Sequence, residues 1–143
     1  MILRGCSLAL AVSGLLAGPI VAAEPKPGPG AALVSFDDLQ GRLGDPKLRL
    51  LDARSQADYD KGHIPGAVHV DPKQVEAMAK RQGALTDRAL WAKWIEPLGI
   101  AAGQDVLIYD GGRQLDAARL WWLLRYVGVD RAGLIDGNFA LWV

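Results

Sequence analysis

Thiols are nearly missing from this 143-residue chain, whose one cysteine, Cys6, lies close to the N-terminus. Histidine is as scarce, with only His63 and His69. Structural zinc needs a cluster of Cys and His ligands. Neither residue type is present in that number, so no structural metal is expected and no cofactor is implied. Charge of one sign is lacking too: 16 Lys and Arg face 16 Asp and Glu. No basic excess points to nucleic acid, and no acidic tail is present. No internal repeat is visible. Apolar residues, by contrast, make up 50% of the chain and include five tryptophans. Trp91, Trp94, Trp121 and Trp122 fall in predicted helices, where they are expected to fill a core. The length allows one domain, large enough to bury such a core.

The sequence divides early. Residues 1–23 carry one positive charge at Arg4, an apolar Leu/Ala/Val run, and Val21-Ala22-Ala23 as a small-residue cleavage site. That pattern is a secretory signal peptide, which places the mature protein in the periplasm or outside the cell, off the membrane once cleaved. An uncleaved anchor is the alternative, because Gly5 to Ala23 is nearly long enough to span a bilayer. Gly14, Gly18 and Pro19 weaken a spanning helix there. A lipoprotein reading fails because no apolar region precedes Cys6. Cleavage after Ala23 would leave a mature chain without a thiol. Residues 24–30, EPKPGPG, form a Pro/Gly linker that can build neither helix nor strand. Residues 31–143 then form the domain.

One stretch organises that domain: Val106 to Arg125, VLIYDGGRQLDAARLWWLLR. Val106 to Tyr109 has no polar alternation, as expected of a central strand covered on both faces in a parallel sheet. From Asp116 onward Ala117, Leu120, Trp121, Leu124 and Gly128 recur on one helix face. Trp122 and Leu123 make the other faces apolar, which predicts a largely enclosed helix. The Asp110 to Leu115 turn between them sits at the carboxyl end of a strand and before a helix N-terminus, the usual place for ligands in open α/β sheets.

Around this centre the other elements follow in order. Leu33 and Val34 make a first strand, and Ser35 with Asp38 caps a helix that Gly44 is expected to close. Leu48 to Ala53 is the second strand, and Ser55 with Asp58 caps a short helix stopping at Gly62. Ala67 to Val70 is the third. Asp71-Pro72 starts a helix running to about Arg81, and Thr86 is expected to cap the next, with Leu90, Trp91, Trp94, Ile95 and Leu98 on its apolar face. Ala132 to Ile135 is the last strand. Asn138 then begins a helix only about one turn long, in which Phe139 and Trp142 would be poorly anchored by the helix itself; either packing against the sheet suffices to hold it, or this is a truncated copy of a longer protein. Alternating strands and helices predict an α/β domain with a five-stranded parallel sheet.

The central segment, together with Leu51-Asp52-Ala53-Arg54 and Gly62-His63-Ile64-Pro65-Gly66-Ala67, resembles the rhodanese family of thiosulfate and 3-mercaptopyruvate sulfurtransferases, from roughly Leu33 to Trp142. The resemblance implies a three-layer domain with helices on both faces of the sheet. It also implies that the strand ends in a cysteine carrying sulfur as a persulfide, cradled by the amides of the loop. Here that position is Asp110. The spacing from Asp110 to Ala117-Ala118-Arg119 and Leu120-Trp121-Trp122 is similar to the non-catalytic N-terminal half of two-domain sulfurtransferases.

Replacing sulfur by carboxylate keeps charge and hydrogen bonds but removes the nucleophile. Asp110 is therefore expected to be structural rather than a general base or cation ligand. Gly111, Gly112 and Arg113 have the makings of an anion-binding nest. A carboxylate beside those amides would compete with any anion, which favours a plain turn. Gln114, Leu115 and Asp116 complete the active-site-like loop. His63 is expected to fix the turn into the third strand by bonding backbone rather than to act as acid or base. Asp52 and Arg54 should support the loop through hydrogen bonds, and Arg119 needs a partner in Asp110 or Asp116. Nothing in the sequence decides roles for His69, Arg113 or Asp116.

Two functional readings stand. One is a sulfurtransferase-like scaffold or binding module that is inactive alone. The other is the N-terminal part of a thiosulfate or 3-mercaptopyruvate sulfurtransferase whose cysteine lies in a further domain, so that a catalytic rhodanese domain or another protein would be its partner. The abrupt last helix favours the second. A phosphatase of similar fold would need the same missing thiolate.

Overall fold

The computed structural model describes residues 32–143, so the expected signal peptide and the whole of the expected linker lie outside the described residues. The five strands are β1 (Leu33–Val34), β2 (Leu48–Asp52), β3 (Ala67–His69), β4 (Asp105–Tyr109) and β5 (Ala132–Ile135). All pair in parallel, in the order β1-β5-β4-β2-β3. The helices are α1 (Phe36–Gln40), α2 (Gln56–Lys61), α3 (Pro72–Ala79), α4 (Arg88–Ile95) and α5 (Leu115–Tyr126), with short 3-10 turns at Ala84–Thr86, Glu96–Leu98 and Phe139–Leu141.

β4 is the middle strand, and all five of its residues are buried. The pleat sends its side chains alternately to two cores. Val106 and Ile108 join Leu51 beneath α3, α4 and α5, against Trp91, Leu120 and Leu124. Leu107 and Tyr109 join Leu50 on the other face, against Leu39 of α1 and Ile64. The continuous apolar run that marked this strand is the sequence trace of that two-sided burial.

Local signals set several element ends. Ser35 accepts from the Asp38 amide at 3.1 Å and Ser55 from the Asp58 amide at 3.2 Å, so both serines cap their helices. Other boundaries differ from expectation. Gly44 does not close α1, which ends at Gln40 with Gly41 as its cap; Gly44 sits in the following turn at φ 82°. Thr86 does not cap α4. It lies in a 3-10 turn, and the side chain of Asp87 accepts from the Leu90 amide instead. A carboxylate is the better partner for the positive end of a helix.

One expectation about aromatic residues fails, and one left open is decided. α5 is not enclosed all round, because Trp122 is 52% exposed and Tyr126 51%. The final 3-10 turn is better anchored than its length implies. Phe139 and Trp142 pack against the core that holds Leu39 and Tyr109, and Trp142 lies 6.3 Å from the Phe36 ring.

At the amino end of β4, Asp105 is buried and receives Arg42 at 2.6 Å and Arg131 at 2.5 Å. The carboxylate thereby ties the turn after α1 to the residue preceding β5. Removing it leaves two partly buried cations facing each other. Asp105→Ala is therefore expected to lower the unfolding free energy by about 2–4 kcal/mol, measured by urea denaturation at neutral pH.

Candidate functional site

The carboxyl end of β4 runs directly into Asp110, which is 5% exposed. Its carboxylate turns inward under the loop that follows. Oδ1 accepts from the amides of Gly112 at 2.9 Å and Gln114 at 3.2 Å, and Oδ2 accepts from the Ala117 amide at 3.3 Å. Ala117 is the third residue of α5, so Asp110 caps that helix from outside its own sequence neighbourhood. Free N–H groups at a helix start carry partial positive charge, and an acidic group there satisfies both the donors and the dipole.

Glycine does less in this loop than its spacing suggests. Neither Gly111 nor Gly112 takes a positive φ; Gln114 does, at 58°. A side chain in the left-handed region costs about 1 kcal/mol or more unless its surroundings hold it there. Here the Gln114 amide group donates to the carbonyls of Ile135 at 3.1 Å and Gly137 at 2.9 Å, bracing the loop on the end of β5. Gly111 is close-packed instead: a Cβ there would meet Arg54 Cδ at 3.3 Å, so the Arg54 side chain would have to shift by a few tenths of an ångström. No residue-type signal marks Gln114 in the sequence, since its conformation depends on carbonyls more than twenty positions away.

Beside the loop stands a buried polar cluster. Asp52 is fully buried and takes the Arg54 guanidinium on both oxygens, with Nη2 at 2.6 Å and Nε at 3.0 Å. Tyr109 donates its hydroxyl to Asp52 Oδ2 at 2.6 Å and accepts from the Ile64 amide at 3.2 Å. Arg54 Nη2 also donates to the Gly62 carbonyl at 2.7 Å, and the guanidinium lies 3.6 Å from the centre of the Phe139 ring. Burial opposes the charge on Arg54, but the hydrogen bond and charge of Asp52 outweigh it and raise its pKa. Burial also holds the Tyr109 phenol well above its ordinary range, reinforced by donation to Asp52.

Above Asp110 lies a hollow of about 320 Å³, rimmed by Arg54, Ser55, Asp58, Gly111, Arg113 and Asp116. Leu115, at the start of α5, also lines it. Asp58 is a rim residue that sequence reading treated only as a helix cap. Its carboxyl is held below the usual range by the Ser55 hydroxyl and then by Lys61. Ser55 spends its hydroxyl on that carboxylate at 2.7 Å.

The remaining sequence candidates lie elsewhere. His63 is exposed, sits at 3.1 Å from the Tyr59 carbonyl and stacks on the Tyr59 ring at 3.9 Å, outside the hollow. His69 contacts the Arg54 carbonyl at 2.9 Å. Arg119 is half exposed rather than buried and meets Asp116 at 3.4 Å, not Asp110. Among the described residues no group of three or more His, Cys, Asp or Glu is placed to hold a metal ion. What the hollow can do chemically is bind through backbone and charge. Its deepest acid is already hydrogen-bonded to three amides.

Comparison with known proteins fits this geometry. The family described as Rhodanese-like domain matches residues 35–143. The chain is similar to the 3-mercaptopyruvate sulfurtransferase of Escherichia coli, at 30% identity over 123 residues, covering 76% of this chain and 43% of that protein. It is also similar to the thiosulfate sulfurtransferase of Azotobacter vinelandii, at 35% identity over 107 residues, covering 74% and 40%. The crystal structure of the E. coli 3-mercaptopyruvate sulfotransferase superposes with a TM-score of 0.65 at 31% identity, over 78% of this chain and 47% of that one. A human single-domain sulfurtransferase shares the fold at 21% identity and a TM-score of 0.57. This chain therefore spans less than half the length of the curated relatives it matches.

Two outcomes follow from the site. Asp110→Ala leaves the three amides without their acceptor. It should cost about 1–3 kcal/mol in urea denaturation and speed hydrogen exchange at Gly112 and Gln114. Tyr109 keeps its proton beyond the range of an unfolded tyrosine, so its contribution is complete below about pH 10 and is lost as the solution becomes more alkaline. Phenolate absorbance in an alkaline titration should show a late phase that accompanies unfolding and is missing in Tyr109→Phe.

Proposed function

Because this chain belongs to the rhodanese-like domain family, we propose that it works as a sulfurtransferase-related scaffold or binding module that transfers no sulfur by itself. The observation carrying this reading is the Asp110 carboxylate beneath the amides of Gly112, Gln114 and Ala117. In the family chemistry that place belongs to a thiolate, which takes and releases a sulfur atom while the amides hold its negative charge. A carboxylate satisfies the same donors and forms no persulfide. The sequence offers no other thiol in residues 32–143, since Cys6 is the single cysteine. If the leader is removed on export to the periplasm or beyond, Cys6 leaves with it.

A second reading is favoured by coverage. The chain matches 43% of the E. coli relative and 40% of the Azotobacter one, as the N-terminal part of a thiosulfate or 3-mercaptopyruvate sulfurtransferase would. The cysteine would then come from a further domain, and this one would supply a wall of the site. In both readings Asp110 does not react, and the partner is a catalytic rhodanese domain or another protein.

Incubating the Cys6→Ser chain with thiosulfate, removing the excess and weighing the intact protein should show no added sulfur. Stable gain of one sulfur atom would overturn the proposal, since no thiol remains to carry it. Adding a catalytic rhodanese domain from a relative separates the two readings: sulfur transfer to cyanide that rises only when both are present supports the second.

A further inference from the structure

The chain contains two Asp-Gly pairs, Asp110-Gly111 and Asp136-Gly137. An aspartate followed by glycine is especially open to reaction with its own backbone, because no side chain shields the glycine nitrogen and the chain turns easily about it. The fold treats the two pairs in opposite ways. Asp110 is buried, with both carboxylate oxygens hydrogen-bonded to amides. Asp136, just past the end of β5, is exposed, and its carboxyl has no hydrogen-bond or ion-pair partner among the described residues. The Gly137 N–H has no acceptor among them either. Electrophile and nucleophile are therefore adjacent and unengaged. Gly137 itself stands at φ 118°, a conformation that a residue with a side chain would resist.

We propose that Asp136 is a site of spontaneous isoaspartate formation, and that this modification loosens the loop over Asp110. The Gly137 nitrogen bonds to Cγ of Asp136, its proton and the carboxyl hydroxyl leave together as water, and a succinimide ring closes. Water then breaks the bond between that nitrogen and the main-chain carbonyl carbon of Asp136, so the chain continues through Cβ. One water leaves and one enters; nothing is oxidised or reduced, and the mass is unchanged. The main chain is now longer by one carbon where there is little room for it. A carbon added on Gly137 Cα would already stand 2.6 Å from Leu141 Cδ1 and 3.0 Å from Phe36 Cε2. Gly137 also supplies the carbonyl that takes the Gln114 side-chain amide at 2.9 Å. Displacing it withdraws one of the two supports that keep Gln114 at φ 58°, and the Gln114 N–H is one of the donors to Asp110. The reaction needs no thiol and stands apart from whether the domain moves sulfur.

Ageing the purified chain at neutral pH, beside a synthetic peptide of residues 132–143, tests it. Incubation runs until the peptide has measurably converted. Trypsin cuts after Arg113 and Arg131, so the two Asp-Gly pairs fall in different fragments. Isoaspartate, located by electron-transfer fragmentation, is expected at Asp136. At Asp110 it should be lower by at least about a hundredfold, because hydrogen bonds to a charged carboxylate must break before the ring can close. Amide hydrogen exchange at Gln114 and Gly112 should quicken in the aged chain. Asp136→Glu, whose side chain is too long to close the same ring, should age with neither change. A chain that stays unmodified at Asp136 while the peptide converts overturns the proposal. Equal conversion at Asp110 overturns it as well, and so does modification at Asp136 that leaves exchange at Gln114 as it was.

Discussion

The buried pairing of Asp52 with Arg54 is the constraint on which the upper end of the domain rests. Taking both charges out of water is costly, and the cost is recovered only when the geometry is good and every remaining donor and acceptor is used. Here nearly all are used. Asp52 also receives the Arg54 amide and the Tyr109 hydroxyl. Arg54 reaches the Gly62 carbonyl and covers the Phe139 ring. One ion pair therefore locates the end of β2, the end of β4, the turn before β3 and the final 3-10 turn. The loop after β4 sits against it, with Gly111 close to the Arg54 side chain.

Asp110 shows how the same charge, at the end of the neighbouring strand, takes on a different task. Asp52 answers a cation, whereas Asp110 answers the partial charges of a loop and a helix start. The loop keeps the shape that would cradle an anion, and its own aspartate supplies the anion. The Phe139 amide donates to the Asp110 carbonyl at 2.9 Å, so backbone and side chain of one residue join β4, α5 and the last turn.

Much of this was legible from residue order. The central strand, its neighbours and the serine caps were readable because their signals are local: an unbroken apolar run, or a hydroxyl three residues from an acid. Asp110 was legible through the motif around it. Two features escaped because they rest on contacts made far along the chain. The left-handed Gln114 depends on carbonyls of Ile135 and Gly137, and the anchorage of Phe139 depends on Arg54. The choice between Thr86 and Asp87 as cap was local but turned on whether a 3-10 turn intervened. The exposure of Trp122 was hidden by composition, because a helix apolar all round reads as enclosed whether or not anything covers it.

The ends of the sheet carry a consequence of their own. β1 has two residues and β3 three, and these are the outermost strands. The carbonyl of Ala67 on β3 is already taken by the Tyr59 hydroxyl. Strands so brief present too few free backbone groups to template a neighbour's strand, which protects the fold from lateral polymerisation into continuous ribbons. Growth of larger assemblies is thereby steered toward contacts between side chains, which a few substitutions can tune or abolish without touching the ladder inside.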